Sequence, residues 1–345
     1  MIFLGDVACP ESMVVKFNKA IEDLDVFKNE IVVLNLEATF AEEGQSFDNK
    51  CLFNSKRVLD GFSYAEKVIV SLANNHMYDY PERIKSTIET LHSNNIGVFG
   101  ICEEDGDSFK PYVYESLNGS IYAFFGHCWR LYTETNKNSI NRIRVVDHSY
   151  KVFVERVNQY IKQFPEQQVY CFMHWNYDLE KYPFPLHIKV ARKLINNGVC
   201  GVIGSHSHRP QGAEIYKGKP IVYGLGNFYL PSGIFFDGKL SYPEYSKDTY
   251  ALAIENNDYN ILWFRTDDSN LEQEVYPNGS ETFDGARISE LSKFRNLSDV
   301  AYYKFFRKNR VKKLFVPIFF NIDGLVENLK EAFAILRVKI LRKIL

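Results

Sequence analysis

The chain has 345 residues, of which 46% are hydrophobic and 24% charged, the balance expected of a soluble globular protein. It contains no run of about eighteen apolar residues, which excludes a transmembrane helix. The net charge of −2 hides an uneven spread: residues 291–345 hold 13 Lys and Arg against 4 Asp and Glu, a net +9, and the rest of the chain carries −11.

The opening "MIFLGDVACP" lacks a basic leader and a long apolar run, so it does not resemble a secretory signal. Six cysteines, Cys9, Cys51, Cys102, Cys128, Cys171 and Cys200, are scattered without a C-x-x-C pair. They are expected to be free thiols of a reducing compartment, which places the protein in the cytoplasm. An aromatic content of 15% favours a β-rich core over a helical bundle.

Over residues 1–228, strand-like and helix-like segments alternate. "MIFLGDV" predicts a strand. Val15, Phe17, Ile21, Leu24 and Phe27 follow at roughly helical spacing. "IVVLNLE" and "KVIVSLANN" predict buried strands. Residues 81–95 predict a helix with Pro81 near its start and Ile84, Ile88 and Leu91 on one face. "GVFG", "SIYAFFGH", "QVYCFMHW" and "VCGVIGSHSH" predict further strands, and helices are predicted over 150–163 and from Pro185 to Asn197-Gly198. Beyond 229, "TYALAIENNDYNILWFRTD" predicts two strands about an Asn-Asp turn. "EVYP" is a candidate short strand in an otherwise polar, loop-like stretch, 266–288. The remainder is basic and helical. Two parts are expected: a domain over 1–288 and a basic, amphipathic helical extension over 289–345.

Several of the apolar strands end on ligand-type side chains: Asp6, Glu37, Asn75-His76, His174, His206 and His208. Sites in α/β folds lie beyond the carboxyl ends of strands. This mixture of anionic oxygens, an amide oxygen and imidazoles suits Zn, Mn or Fe better than Ca. Six candidate ligands are enough for one full site or two adjacent ones. His206 and His208, spaced i and i+2, would face the same side of an extended segment.

In order along the chain, "GDV" (5–7), "LNLE" (34–37), "SLANNHMYD" (71–79), "HW" (174–175), "GSHSHRPQG" (204–212) and "VYGLGNF" (222–228) resemble the CapA capsule and poly-γ-glutamate synthesis family. That family is a branch of the calcineurin-like metallophosphatase superfamily, and the resemblance covers roughly residues 1–230. It implies a four-layer αββα sandwich of the metallophosphatase type, classed α/β or α+β, with strands 220–224 and 249–266 in the second sheet. It also implies one or two divalent transition metals, with Glu37 as the bridging carboxylate and Asp6, Asn75, His174, His206 and His208 as the remaining ligands. His76 becomes the general acid for the leaving group. Three departures stand out. Typical metallophosphatases open with Asp-x-His, whereas Ala8 follows Asp6-Val7 here. Asn176 replaces the family's Gly after His-Trp, and Asp178 replaces its Glu.

Other residues carry two readings each. Asp79 either steers His76 or opens a helix capping box, Asp79 to Glu82, with Pro81 in the first turn; the cap is favoured. Trp175 either lines a substrate pocket or packs, and Asn176 is expected to narrow the pocket or add a polar contact there. Arg209 either holds an anionic group or is solvated. Asn227 is expected to close a turn, and His127 to be a core or rim residue.

The function expected is metal-dependent hydrolysis of the metallophosphatase type, in bacterial capsule, exopolysaccharide or poly-γ-glutamate production, on an anionic or glycan- or polymer-related substrate. The alternative is a non-catalytic metal-binding scaffold of a polymer synthesis or export assembly. The acidic body argues against a nucleic-acid track. Residues 291–345, with Leu325, Leu329, Ala332, Phe333, Leu336, Ile340 and Ile344 near helical spacing among basic residues, suit either peripheral contact with the inner membrane surface or a helix docked on the catalytic domain or on a partner with its basic face solvated.

Overall fold

The four strands β1 (Ile2–Val7), β2 (Ile31–Leu36), β3 (Lys67–Ser71) and β4 (Gly97–Phe99) run parallel, side by side. Their near-continuous apolar sequences have a structural cause: both faces of the sheet are covered. Leu4, Val32, Leu34 and Val70 pack with Val14, Phe17 and Ile21 of α1 (Val14–Glu22) and with Ile84, Ile88 and Leu91 of α2 (Ile84–Ser93). The alternate residues Phe3, Ile31, Val33 and Ile69 point the other way, into a second cluster. The computed structural model describes residues 1–41, 51–103, 109–133, 143–267, 274–310, 317–319, 322 and 329–337.

The strand β5 (Ile101–Glu103) leads away from this sheet, and β6 (Tyr112–Glu115) and β7 (Ile121–Cys128) begin the second. A single turn, α3 (Arg130–Thr133), precedes β8 (Ile143–Val145), which pairs antiparallel with β5. After α4 (Tyr150–Gln163) come β9 (Gln168–His174), α5 (Pro185–Asn196), β10 (Gly201–Ser205), β11 (Ala213–Tyr216) and β12 (Lys219–Val222). They complete a sheet ordered β11-β12-β10-β9-β7-β6. Its inner face supplies Phe124, Tyr170, Phe172, Ile203 and Val222 to the cluster holding Phe3 and Val33, with the Phe3 and Tyr170 rings 5.4 Å apart. Its outer face packs Phe125, Val169, Cys171 and Val202 with Phe153, Val157, Ala191, Leu194 and Ile195 of α4 and α5. Two sheets therefore meet face to face with helices outside, the expected αββα layering.

Two expectations are corrected. Residues 249–266 belong to the first sheet, not the second. After β13 (Asn227–Tyr229), the strand β14 (Asp248–Glu255) lies antiparallel to β1 with Leu252 opposite Phe3, and β15 (Asp258–Asp267) and β16 (Glu274–Thr282) follow outward. Strand spacing predicts strands, but only long-range pairing decides which open edge they take. Residues 266–288, expected as loop, contain β16 and the start of α6 (Ala286–Leu291). β16 is an edge strand whose one buried apolar side chain, among those described, is Val275, so its sequence looks polar.

In the basic extension, Tyr302 and Phe306 of α7 (Asp299–Asn309) and Ala334 and Ile335 of the helical stretch 329–337 join the outer core. That stretch leaves Leu329, Phe333 and Leu336 more than half exposed. The rest of the expected amphipathic helix, 325–328 and 338–345, lies outside the described residues. Among those described, no helix is long and apolar enough to cross a membrane.

His127 is a core residue, fully buried at the end of β7, with Nε2 2.7 Å from the His148 carbonyl. Burial pushes its pKa down to about 4. Its contribution to stability is therefore complete above the unfolded value of 6.5 and is lost as pH falls from there to about 4. The share at stake is about 3 kcal/mol. Denaturant titrations between pH 7 and 4 should show a loss of this size in wild type that His127→Phe removes. An unaltered slope in the variant would refute it.

Candidate metal centre

The carboxyl ends of the strands place polar residues in one row. Register pairs Asp6 of β1 with Asn35 of β2, Asn35 with Ser71 of β3, and Asp6 with Asn227 of β13. Gly5 permits the last contact, since a Cβ there would lie 1.9 Å from the Gly226 oxygen. In the facing sheet, His174 ends β9 and pairs in register with Ser205, the last residue of β10.

These elements bring the six candidate ligands together. Asp6, Glu37 and His174 place ligand atoms within 4.8 Å of one another, and so do Glu37, His206 and His208. Glu37 belongs to both groups. Asn75 Oδ1 lies 2.9 Å from His174 Nε2, which is itself 3.6 Å from Glu37 Oε1. Both groups assemble with Ala8 in place of a histidine. The far nitrogens of two imidazoles are held from behind: His174 Nδ1 by Ser205 Oγ at 3.0 Å and His208 Nδ1 by Asn227 Oδ1 at 2.9 Å. Such outer contacts fix ring orientation in metal sites. His206 and His208 do not form the extended pair expected, because β10 ends at Ser205. Both adopt left-handed backbone, with φ of 78° and 52°, in a turn that sets their rings 5.4 Å apart.

The electrostatics fit a cation. Asp6 and Glu37 are fully buried, and Asn35 bridges them by donating its amide to both carboxylates. Burial, followed by the charge of Asp6, drives the Glu37 pKa well above the usual carboxylate range. Glu37 Oε1 accepts no hydrogen bond from any described residue. Burial, reinforced by neighbouring imidazoles, pushes the His174 pKa well down; burial also lowers His208, with Asp6 opposing. Neither ring nitrogen of His206 makes a well-directed hydrogen bond, although Asp178 Oδ1 lies 2.8 Å from Nε2. Two buried carboxylates facing neutral imidazoles form a donor set of the kind that holds Zn, Mn or Fe.

His76 stands beside this set. Its Nδ1 lies 2.8 Å from Asp79 Oδ2, and its Nε2 lies 3.8 Å from Glu37 Oε1. The favoured capping role of Asp79 is corrected. Its carboxylate engages His76 and the Leu52 N–H at 3.0 Å, while the turn Pro81–Arg83 follows Tyr80 without a side-chain cap. Asn74 supports the same turn, accepting from the Met77 N–H and donating to Asn35 Oδ1 and the Leu36 carbonyl.

A cavity of about 730 Å³ opens over Asn75, His76, Asp79, Asp178, His206 and His208. Three residues expected at the substrate do not line it. Trp175 is fully buried, donates Nε1–H to the Tyr223 carbonyl and stacks on His187. Asn176 has φ of 70°, a conformation that explains a glycine at this position. Its amide is engaged by the Tyr223 carbonyl, the Phe184 N–H and His187 Nδ1. Arg209 lies over the Tyr245 ring at 4.0 Å. Conversely, Asn35, Ser205, Asn227 and Asp178 bear on the centre and were not singled out as site residues. Position i−2 before Glu37 on the same strand face, and β-register with Asp6, are the signals that point to Asn35.

Residues 1–232 match the model of the family described as bacterial capsule synthesis protein PGA_cap, more than half of the chain. The PGA biosynthesis protein CapA of Bacillus subtilis is 25% identical over 170 residues, covering 48% of this chain and 43% of that protein. The capsule biosynthesis protein CapA of Bacillus anthracis is 26% identical over 173 residues, covering 48% and 40%. The matches thus span less than half of either relative's own length. A calcineurin-like phosphoesterase from Bacillus subtilis of known structure is similar with a TM-score of 0.45 and 12% identity, covering 82% of this chain and 90% of that one. By the extent of the family match, the chain belongs to the bacterial capsule synthesis protein PGA_cap family.

Proposed function

We propose that the chain is a metal-dependent hydrolase of the metallophosphatase type, acting in capsule or poly-γ-glutamate formation. The observation that carries this reading is the pair of ligand groups sharing Glu37 beneath a cavity whose wall holds His76 and Asp79. Asp6, Glu37, Asn75, His174, His206 and His208 would hold one or two divalent ions. A bound ion of this kind supplies Lewis-acid polarisation of an anionic oxygen and a more acidic water. The remaining work falls to the chain. Asn35 keeps the Asp6 and Glu37 carboxylates in place. Ser205 and Asn227 fix the His174 and His208 rings. Asp79 holds His76 Nδ1, so that Nε2 faces the centre with a proton to give to a leaving group.

Titration of the purified protein with Mn²⁺ and Zn²⁺, followed by assay on bis(4-nitrophenyl) phosphate, tests the reading. Stoichiometric metal binding with metal-dependent turnover is expected. Failure to bind either ion would sink it. A metal-loaded but inert protein, indifferent to His76→Ala, would favour a scaffold in polymer synthesis, the reading that Ala8 in place of a histidine supports.

A further inference from the structure

The lining of the cavity over the metal centre is mixed: beside its polar residues it includes Leu131, Tyr132, Phe236, Leu240 and Tyr242. Among the described residues lining it, the one lysine or arginine is Arg337, from the C-terminal extension. This side chain is half-buried at the end of the helical stretch 329–337. The stretch is anchored: Ala334 and Ile335 are buried in the outer core, and Lys330 Nζ reaches the Ile318 carbonyl at 3.3 Å. Arg337 forms no ion pair or hydrogen bond with any described residue. A second guanidinium lies near it. Arg310 is 4% exposed, and its pKa is lowered by burial, with the charge of Arg337 acting in the same direction. Asp79 and Asp178 also line the cavity and the charge of Glu180 acts on Arg310, but Arg337 has no ion-pair partner among the described residues, so its guanidinium can take an incoming anion.

We infer that Arg337 binds a second oxyanion of the substrate, a carboxylate or phosphate separated by an apolar body from the bond that is cleaved. The inference rests on the hydrolase reading above and assigns the extension a place in substrate selection. The apolar part of the lining takes the body, the centre takes the reacting anionic group, and the guanidinium offers a planar pair of N–H donors to the distal one.

Non-hydrolysable probes test it on the full chain loaded with Mn²⁺, by calorimetry. Phenylphosphonate carries one anionic group; 4-carboxyphenylphosphonate and 1,4-phenylenediphosphonate carry a second. Wild type is expected to bind at least one two-anion probe about tenfold tighter than phenylphosphonate. The probe that gains identifies carboxylate or phosphate as the preferred group. Arg337→Ala should remove the preference while leaving the affinities for phenylphosphonate and for Mn²⁺ unchanged, and Arg337→Lys should keep part of it. A preference that survives Arg337→Ala, or no preference in wild type, overturns the inference. The Mn²⁺ titration reads the metal centre separately. If the ion does not bind, the hydrolase reading fails, and the same probes on metal-free protein decide the role of Arg337.

Discussion

Glu37→Gln is expected to weaken Mn²⁺ or Zn²⁺ binding by at least about 100-fold and, with no metal present, to stabilise the protein at neutral pH. The first effect follows from position. Glu37 is the one residue common to both ligand groups, so its loss removes an anionic donor from each. Outer-shell changes alone cost about 10–100-fold in metal affinity, and a directly ligating carboxylate contributes more. The second effect follows from burial. The folded-state pKa of Glu37 lies above its unfolded value of 4.5. The folded form thus holds this proton more strongly than the unfolded chain. The associated stability is present below pH 4.5 and is lost as pH rises through the folded value. At pH 7 the metal-free protein carries that penalty, and a neutral amide of the same shape relieves it. Calorimetric metal titration and chemical denaturation in chelator read the two halves independently. Wild-type metal affinity in the variant would remove Glu37 from the shared position. A metal-free variant less stable than wild type would show that Glu37 is compensated without metal.

The layering was implied by the family resemblance, whereas the candidate ligands were legible in the sequence for a physical reason. Strands buried on both faces must be continuously apolar, so polar residues stand out where such strands end, as at Asp6, Glu37 and His174. The attachment of β14 to β1 was not legible, because "TYALAIE" satisfies any apolar edge and only the pairing of Leu252 with Phe3 decides which. The supporting amides were missed for another reason. Asn35 and Asn227 look like ordinary polar residues at a strand end and in a turn, and become parts of the centre only through register across β2, β1 and β13. Trp175 and Asn176 were misplaced by proximity. They follow His174 directly, but the chain turns at Asn176 and carries both side chains into the core behind the site. Arg337 lies 337 − 208 = 129 positions beyond the last ligand, His208, and no local pattern links it to the cavity it lines.

His76→Ala is expected to lower turnover by about 10²–10⁴-fold with metal occupancy retained, whereas His206→Ala should deplete the metal. The contrast follows from the geometry. His206 is one of three residues in a ligand group, with Glu37 and His208. His76 belongs to neither group. Its Nε2 approaches Glu37 Oε1 only to 3.8 Å, and its Nδ1 is taken by Asp79 at 2.8 Å. Its place outside both ligand groups and on the cavity wall, rather than the hold on Nδ1, suits it to act on the substrate instead of on the ion. Its side chain is 17% exposed and lines the cavity, so removing it opens space toward solvent without leaving a sealed void, and the fold should tolerate the change. Asp79→Asn preserves an acceptor for the Leu52 N–H but gives up the carboxylate that orients His76. It should cost about tenfold in turnover, the lower end of what outer contacts contribute. Metal content measured on the purified variants, beside initial rates on bis(4-nitrophenyl) phosphate, separates the roles. Equal metal depletion in His76→Ala and His206→Ala would make His76 a ligand. Full turnover in His76→Ala would take the proton-donor role from it and leave the centre without its one positioned acid.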